Sequence, residues 1–157
     1  LIPRIEEAIL EDIINKAFST IDVPENIQTQ CIIEPNVNLK TDVSYIRRII
    51  TNLTSNAIQA MPNGGKLTIE AKLKKDSNTI QITVSDTGHG IPKETQKKLF
   101  TPLFTTRPKG QGFGLIVVKK FVEALGGIIS FESEVDKGTT FTIQIPRWYT
   151  HSFYFFK

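Results

Sequence analysis

Asp86 combines a titratable side chain with a position where a strand is expected to be buried. Apolar residues alternate with polar ones from Ile80 to Val84, and Asp86 continues the apolar phase, which places its carboxylate on the core-facing side. A carboxylate removed from water costs several kcal/mol unless it is paired or hydrogen-bonded. The glycine-rich residues 87–92 that follow would let a ligand approach the backbone and donate to this carboxylate. The alternative is that Asp86 caps a helix predicted at 93–99 or closes a turn.

Asn52 and Asn56 form a second pair of candidate residues. They are four positions apart in a helix predicted at 42–61, so both side chains lie on one face, at the flank of the apolar stripe. Asparagine is a poor residue for a helix interior, and two stacked amides suit metal coordination or contact with phosphate. The alternative is a pair of amides bonded to the backbone of a neighbouring loop.

Three glycines, Gly110, Gly112 and Gly114, stand directly before an amphipathic helix predicted at 114–125. Free backbone N–H groups and the positive end of the helix dipole make such a position a ready anion site. The same spacing of glycines also occurs in mobile loops without a ligand, so these residues alone do not decide between the two interpretations.

The segment before these glycines is rich in aromatic and basic residues, but its prolines exclude a regular element. Phe100 and Phe104 would anchor this irregular segment, which suggests a lid that docks and releases. Arg107 and Lys109 would bring positive charge toward phosphates.

Thr139 opens the last predicted strand, in the same phase as the apolar Phe141 and Ile143. Its hydroxyl is therefore expected to point inward. Such a hydroxyl could contact a heterocycle near Asp86 or bond to the local backbone.

The elements that must position these residues are helices interleaved with antiparallel hairpins. Asp42 is predicted to cap the 42–61 helix. This order predicts an α+β two-layer sandwich, with a mixed sheet of about five strands and three helices on one face. No G-x-x-x-x-G-K-[ST] motif occurs, which argues against a P-loop or Rossmann architecture. The other predicted elements are a helix at 5–18, strands at 27–34, 67–74 and 80–86, and a terminal hairpin formed by 128–134 and 139–146.

The composition is that of one ordinary globular domain. The 157 residues carry 19 Lys and Arg against 16 Asp and Glu, a net charge of +3, and a spread-out excess of this size does not imply nucleic acid. The single cysteine, Cys31, excludes an internal disulfide and a cysteine zinc site and fits a reducing compartment. No signal peptide or membrane span is visible. We expect a cytoplasmic location, with any membrane anchor of a longer protein lying outside these residues.

Taken in order, the motifs resemble the ATP-binding domain of the GHKL superfamily (histidine kinases, gyrase, chaperones and mismatch-repair ATPases), whose architecture is the Bergerat fold. The resemblance is closest to the catalytic domain of two-component sensor histidine kinases. It spans residues 1–146 and leaves 147–157 as an aromatic tail of unknown role. Five segments carry it: N-L-T-S-N-A (52–57) as the N box, D-T-G-H-G-I (86–91) as the first glycine box, F-T-P-L-F-T-T-R (100–107) as the F box, G-Q-G-F-G-L (110–115) as the second glycine box, and G-T-T-F (138–141) as the closing one.

The resemblance implies a site for ATP and Mg²⁺. Asn56 would coordinate a Mg²⁺ ion that bridges the ATP phosphates, with Asn52 supporting the same site. Arg107 and Lys109 would supply positive charge. The residues implied around adenine are Asp86, which would accept a hydrogen bond from the exocyclic amine, with Gly88, Gly90, Ile91 and Thr139. Those implied in the lid over the phosphates are Phe104, Gly110, Gly112, Gly114 and Leu115.

The implied activity is that of a protein-histidine kinase, which donates the γ-phosphoryl group of Mg-ATP to a histidine on a separate dimerisation domain. Relatives that hydrolyse ATP carry a glutamate four residues before the Mg²⁺ asparagine. Asn52 occupies that place here and cannot act as a general base. His89 and His151 are the only histidines, and neither suits a phosphoacceptor. Two alternatives remain open: a nucleotide-dependent binding module without phosphotransfer, and an ATPase.

The partners implied are the dimerisation domain of the same kinase and a downstream response regulator, with no nucleic acid. This chain alone is expected to be a monomer and the full-length protein a homodimer. Two positions depart from the family pattern, since Phe113 replaces a leucine and Gln59 stands where many members carry Lys or Arg. The tail holds six aromatic residues, which could dock on the domain, contact the dimerisation helices or mediate self-association.

Overall fold

The computed structural model describes residues 1–101 and 113–151. The longest helix has 17 residues, and among the described residues no helix combines the length and the apolar character needed to cross a membrane. In chain order the elements are β1 (Glu6–Ile9), α1 (Leu10–Ser19), β2 (Ile27–Ile33), β3 (Asn38–Thr41), α2 (Val43–Gln59), β4 (Gly65–Lys74), β5 (Thr79–Asp86), α3 (Lys93–Gln96), α4 (Phe113–Ala124), β6 (Ile128–Glu134) and β7 (Gly138–Pro146).

A mixed five-stranded sheet forms one layer, with the strand order β2-β4-β5-β7-β6. Strand β2 runs parallel to β4, and the other pairs are antiparallel. Helix α2 packs between α1 and α4 and contacts the central strands. Apolar side chains on one face of each strand meet this helical layer, as in the buried pairs Leu67 with Ile69 and Ile80 with Ile82. The expected α+β sandwich, with about five strands and three helices on one face, is confirmed.

The N-terminal segment is where the predicted secondary structure is wrong. Residues 5–9 were expected in a helix, but β1 covers Glu6–Ile9 and pairs antiparallel with β3. The helix α1 begins only at Leu10, whose N–H donates to the Val37 carbonyl at 2.9 Å. The apolar spacing of this segment fits a helix locally. Pairing with β3, about thirty residues away along the chain, makes the segment a strand instead. Local periodicity cannot detect such a distant partner. The 93–99 helix is also shorter than expected, since α3 ends at Gln96.

The first residues of the aromatic tail extend the small sheet formed by β1 and β3. Lys40 donates its N–H to the Arg147 carbonyl at 2.9 Å, and its own carbonyl accepts from the Tyr149 N–H at 3.0 Å. Tyr149 is 5% exposed, whereas Trp148 remains 40% exposed and lies against the Arg147 guanidinium at 4.6 Å. The start of the tail therefore docks on the domain. The other tail aromatics, Phe153 to Phe156, lie outside the described residues.

Asp42 joins the N-terminal segment to α2, and its predicted capping role is confirmed. Its Oδ1 accepts from the N–H groups of Ser44 and Tyr45 at 3.0 and 3.2 Å, and from the Ser44 hydroxyl at 2.6 Å. Its Oδ2 accepts from the Arg4 N–H at 2.8 Å. The residue is 3% exposed, so its removal would leave donors of two chain segments without a partner in a dry environment.

We predict that Asp42→Ala lowers the free energy of unfolding by about 2 to 3 kcal/mol, because it removes a helix cap and a second backbone acceptor together. Urea denaturation followed by far-UV circular dichroism measures this change. Asp76→Ala is the matched control, since Asp76 lies in an exposed turn and accepts from the N–H of the adjacent Ser77. Equal losses in the two variants would contradict the prediction.

Candidate functional site

Residues 86–91 form a glycine loop that is packed closely between two other parts of the fold. A Cβ atom on Gly88 would overlap the carbonyl oxygen of Ala60, at the end of α2. The same Ala60 oxygen accepts from the His89 N–H at 3.0 Å. Gly90 has a φ of +71°, and a Cβ there would overlap the carbonyl oxygen of Glu134. Glycine is therefore required at both positions, because the loop backbone touches the backbone of α2 and of the β6–β7 turn.

Asp86 ends β5 at the start of this loop, in the inward phase that its spacing predicted. It is half-buried, and its register partners are Leu67 on β4 and Thr139 on β7. Its Oδ1 accepts from the Gly88 N–H at 2.8 Å and from the Thr139 N–H at 3.3 Å. Helix α3 is preceded by Pro92 and has no side-chain cap, so the alternative in which Asp86 caps that helix is wrong. The residue closes the turn through Gly88 while its other oxygen, Oδ2, accepts neither of these bonds.

Burial raises the pKa of the Asp86 carboxyl above its usual value, and this is the largest influence on it. Hydrogen bonds from the Gly88 and Thr139 N–H groups and the charge of His89 lower the pKa to a smaller extent. The carboxylate is thus under-solvated in the protein on its own. A ligand that donates a hydrogen bond to it would restore part of the lost solvation.

Thr139 and Ser133 place two hydroxyl groups beside this carboxylate. Thr139 is 3% exposed, and its Oγ1 lies 2.8 Å from the Ser133 Oγ. The Ser133 Oγ in turn accepts from the Ile91 N–H at 2.8 Å. Ser133 is not among the site residues predicted from the sequence. It is nevertheless a polar residue in the inward phase of β6, two positions after Phe131, and this pattern could have identified it.

Asn52 and Asn56 lie one turn apart on α2, and both are half-buried at the flank of its buried stripe. The Asn52 Nδ2 donates to the Gly114 carbonyl at 3.5 Å, which links α2 to the first turn of α4. This contact agrees with the alternative in which an amide bonds to neighbouring backbone. Along α2, the Ala60 N–H donates to the Asn56 carbonyl at 3.0 Å, so Asn56 is one turn from the residue that touches the glycine loop.

The described part of the chain holds no cluster of three or more His, Cys, Asp or Glu residues that could bind a metal ion. The amide oxygens of Asn52 and Asn56, together with oxygens of a ligand, could bind a cation. That donor set suits Mg²⁺, which commonly keeps few protein ligands and binds phosphate oxygens.

The described ends of the predicted lid region (100–115) pack on the core. The Phe100 ring lies 6.0 Å from the Phe131 ring and 5.6 Å from the Lys119 Nζ, and Leu115 also packs against the core cluster. Gly114 has open space where a Cβ would stand. The predictions for Phe104, Arg107, Lys109, Gly110 and Gly112 fall on residues outside those that the structure describes.

We predict that Asp86→Asn makes the nucleotide-free protein more stable at pH 7. The folded-state pKa of Asp86 is raised, so its charge opposes folding above that pKa and has no effect below the unfolded-state pKa. The stability difference between variant and native protein should therefore shrink as the pH falls toward about 4, near the usual pKa of an aspartate. Urea denaturation at several pH values measures it, with the exposed Asp76→Asn as control. A less stable variant at neutral pH would disprove this prediction.

Comparison with known sequences places these features in a family. Residues 41–148 match the profile of the histidine kinase-, DNA gyrase B- and HSP90-like ATPases. Sporulation kinase D of Bacillus subtilis (strain 168) is 37% identical over 142 residues, covering 87% of this chain and 28% of the relative. The sensor histidine kinase ZraS of Salmonella typhi is 36% identical over 141 residues, covering 87% of this chain and 30% of the relative. The chain thus spans less than a third of the length of these relatives.

Solved structures agree with the sequence relatives. The catalytic domain of histidine kinase ThkA, in a nucleotide-free form, matches with a TM-score of 0.80 at 27% identity and covers 92% of this chain and 97% of that chain. Full-length ShkA in complex with AMPPNP shares the fold with a TM-score of 0.83 at 21% identity, covering 96% of this chain and 32% of that chain. The chain belongs to the family of histidine kinase-, DNA gyrase B- and HSP90-like ATPases, as its five sequence motifs indicated, and its relatives include sensor histidine kinases.

Proposed function

We propose that this domain binds ATP, with adenine held at the glycine loop and its exocyclic amine donating to Asp86. The observation that carries the proposal is the hydrogen bonding and burial of that carboxylate. Its Oδ1 accepts two backbone N–H groups, from Gly88 and Thr139, and burial raises its pKa. An amine that donates to Oδ2 would stabilise the charged form. The purine would lie beside Asp86, at the loop whose backbone is packed on the rest of the fold through Gly88 and Gly90.

The phosphates are proposed to lie along α2, toward Asn52, Asn56 and the first turn of α4. Asn56 would contribute an amide oxygen to Mg²⁺, and Asn52 would hold α2 against Gly114 through the contact at 3.5 Å. When bound, Mg²⁺ would neutralise phosphate charge and orient the terminal phosphate. Arg107 and Lys109, together with the glycines at 110 and 112, are proposed to close over the phosphates. Leu115 and Phe104 would support that closure.

We further propose that the bound γ-phosphoryl group is donated to a histidine of a dimerisation domain, and that a response regulator receives it afterward. The names of sporulation kinase D and the sensor histidine kinase ZraS support this activity. Asn52 supports it as well, because an amide cannot remove a proton from water, and the domain would hold ATP until another domain presents a nucleophile. The protein would act in the cytoplasm, with this domain monomeric on its own and the longer protein dimeric.

The histidines within the described residues already have other contacts. The His89 Nδ1 lies 2.8 Å from the Gly90 carbonyl, inside the glycine loop itself. The His151 ring meets the Tyr149 ring edge-on at 5.3 Å. The phosphoacceptor in this proposal is therefore a histidine of the partner domain.

We predict that Asp86→Asn weakens ATP binding by about 10- to 100-fold, the range for losing a hydrogen bond to a charged group. Isothermal titration calorimetry with Mg-ATP measures the dissociation constant, and Asp76→Asn is the control. Because the same variant is expected to be more stable than the native protein, weaker binding could not be attributed to unfolding. Unchanged affinity would refute the adenine assignment.

Phosphotransfer is tested by mixing this domain with a separately purified dimerisation domain and radiolabelled ATP. We expect label on a histidine of the dimerisation domain, with labelling lowered about 10- to 100-fold in Asn56→Ala because an oxygen near the charged phosphates is lost. Asn15→Ala is the control, since Asn15 is an exposed residue of α1. ATP binding without any labelling would favour the binding-module alternative instead.

A further inference from the structure

We propose that Ser133 and Gln96 are positioning residues of the base site, by which we mean Asp86, Thr139 and the glycine loop. Ser133 orients the Thr139 hydroxyl so that this site selects adenine over a 6-oxopurine. This inference rests on the proposed function, since it assumes that a purine nucleotide binds at the glycine loop. Neither residue belongs to the five sequence motifs. Ser133 lies on β6, one position before its last residue, and Gln96 ends α3.

The two side chains hold both backbone groups of Ile91. The Ile91 N–H donates to the Ser133 Oγ at 2.8 Å. The Ile91 carbonyl accepts from the Gln96 Nε2 at 2.7 Å, and the same Nε2 lies 3.4 Å from the Ser133 carbonyl. The last residue of the glycine loop is thus fixed from two sides by side chains of two different elements.

The rest of the loop is fastened to the same part of the fold. The Asp136 N–H donates to the His89 carbonyl at 2.9 Å, and Gly90 lies against the Glu134 carbonyl. These contacts are made by backbone, so they hold the loop whatever side chains the turn carries. The Ser133 contact differs from them because the same Ser133 hydroxyl that accepts from the Ile91 N–H also contacts the Thr139 hydroxyl in the base site.

A hydroxyl has one proton to donate, and this limits what Ser133 can do. Its oxygen already accepts from the Ile91 N–H, and it lies 2.8 Å from the Thr139 Oγ1 and 3.3 Å from the Gly138 carbonyl. Either hydroxyl can donate in the Ser133–Thr139 contact, and the Gly138 carbonyl is the other acceptor within reach of the Ser133 proton. The contact to Gly138 is longer than the usual O–H···O range of about 2.5 to 3.0 Å, so in this proposal Ser133 donates to Thr139. Thr139 then accepts from Ser133 and has its own proton available for a ligand.

This arrangement places an acceptor beside a donor. Thr139 is the register partner of Asp86 and donates its N–H to that carboxylate. Asp86 would accept, and the Thr139 hydroxyl would donate, directly or through one water. Adenine presents an amine donor next to the ring acceptor N1, which matches both groups. Hypoxanthine presents a carbonyl acceptor next to an N1–H donor, which matches neither.

The test compares ATP with inosine triphosphate, which differs from it only in this part of the base. We expect Ser133→Ala to weaken ATP binding about fivefold to tenfold, as for one neutral hydrogen bond, and to leave inosine triphosphate binding within about twofold. The selectivity for ATP should fall by the same factor. Ser133→Thr, which keeps the hydroxyl, should restore it. Ser130→Ala is the matched control, on the same strand but exposed on the other face of the sheet.

A second measurement does not depend on nucleotide. Hydrogen exchange at the Ile91 amide of the nucleotide-free protein should become faster in Ser133→Ala, and not in Ser130→Ala, because the Ser133 Oγ is its acceptor. Gln96→Glu keeps the shape of the side chain but removes the donor to the Ile91 carbonyl. It should therefore weaken ATP binding, while the ratio of the ATP and inosine triphosphate dissociation constants stays closer to the native ratio than it does in Ser133→Ala.

Equal weakening of ATP and inosine triphosphate binding in Ser133→Ala would overturn the selectivity role, because that is the pattern of general damage to the fold. Unchanged Ile91 exchange would overturn the positioning role. If the native protein binds neither nucleotide, the proposed function fails and the selectivity role fails with it, while the exchange measurement still decides the positioning role. If the native protein binds ATP and the variant keeps the native selectivity, only this inference fails.

Discussion

The carboxylate of Asp86 lies at the point where β5, β7 and the glycine loop meet, and contacts from these elements hold it there. One oxygen is occupied by backbone donors from Gly88 and Thr139. Thr139 reaches it through the pairing of β7 with β5, and Gly88 reaches it in a loop that packs on the Ala60 carbonyl because Gly88 lacks a side chain. A charge placed in this way opposes folding in the absence of a ligand. In the proposed function, a ligand that donates to this carboxylate would recover the stability that the unpaired charge costs.

The sequence was sufficient for the features that depend on nearby residues. The cap at Asp42 could be predicted because the N–H groups of Ser44 and Tyr45, which donate to its carboxylate, are within three positions along the chain. The third such donor, the Arg4 N–H, is distant and could not be predicted. The inward phase of Asp86 could be predicted because strand alternation has a period of two. The five motifs were sufficient to indicate the family to which the chain belongs.

Features that depend on distant partners could not be predicted in the same way. Strand β1 pairs with β3 across about thirty residues, and its own periodicity fits a helix equally well. Ser133 could have been noticed as an inward polar residue, but its partners Ile91 and Thr139 come together only through the packing of a loop on a hairpin turn. The close approach of Gly88 to Ala60 could not be predicted either, because the glycines of the loop do not indicate which backbone they will contact.

Helix α2 has one further consequence for the site. It carries both asparagines on one face and touches the glycine loop through Ala60 at its end. From Asn56 to Ala60 the helix rises about 6 Å, at about 1.5 Å per residue. A regular helix neither stretches nor compresses easily, so α2 sets a fixed distance between the glycine loop and the asparagines. In the proposed complex, the separation between the base and the phosphates would follow from the number of residues in this one helical turn.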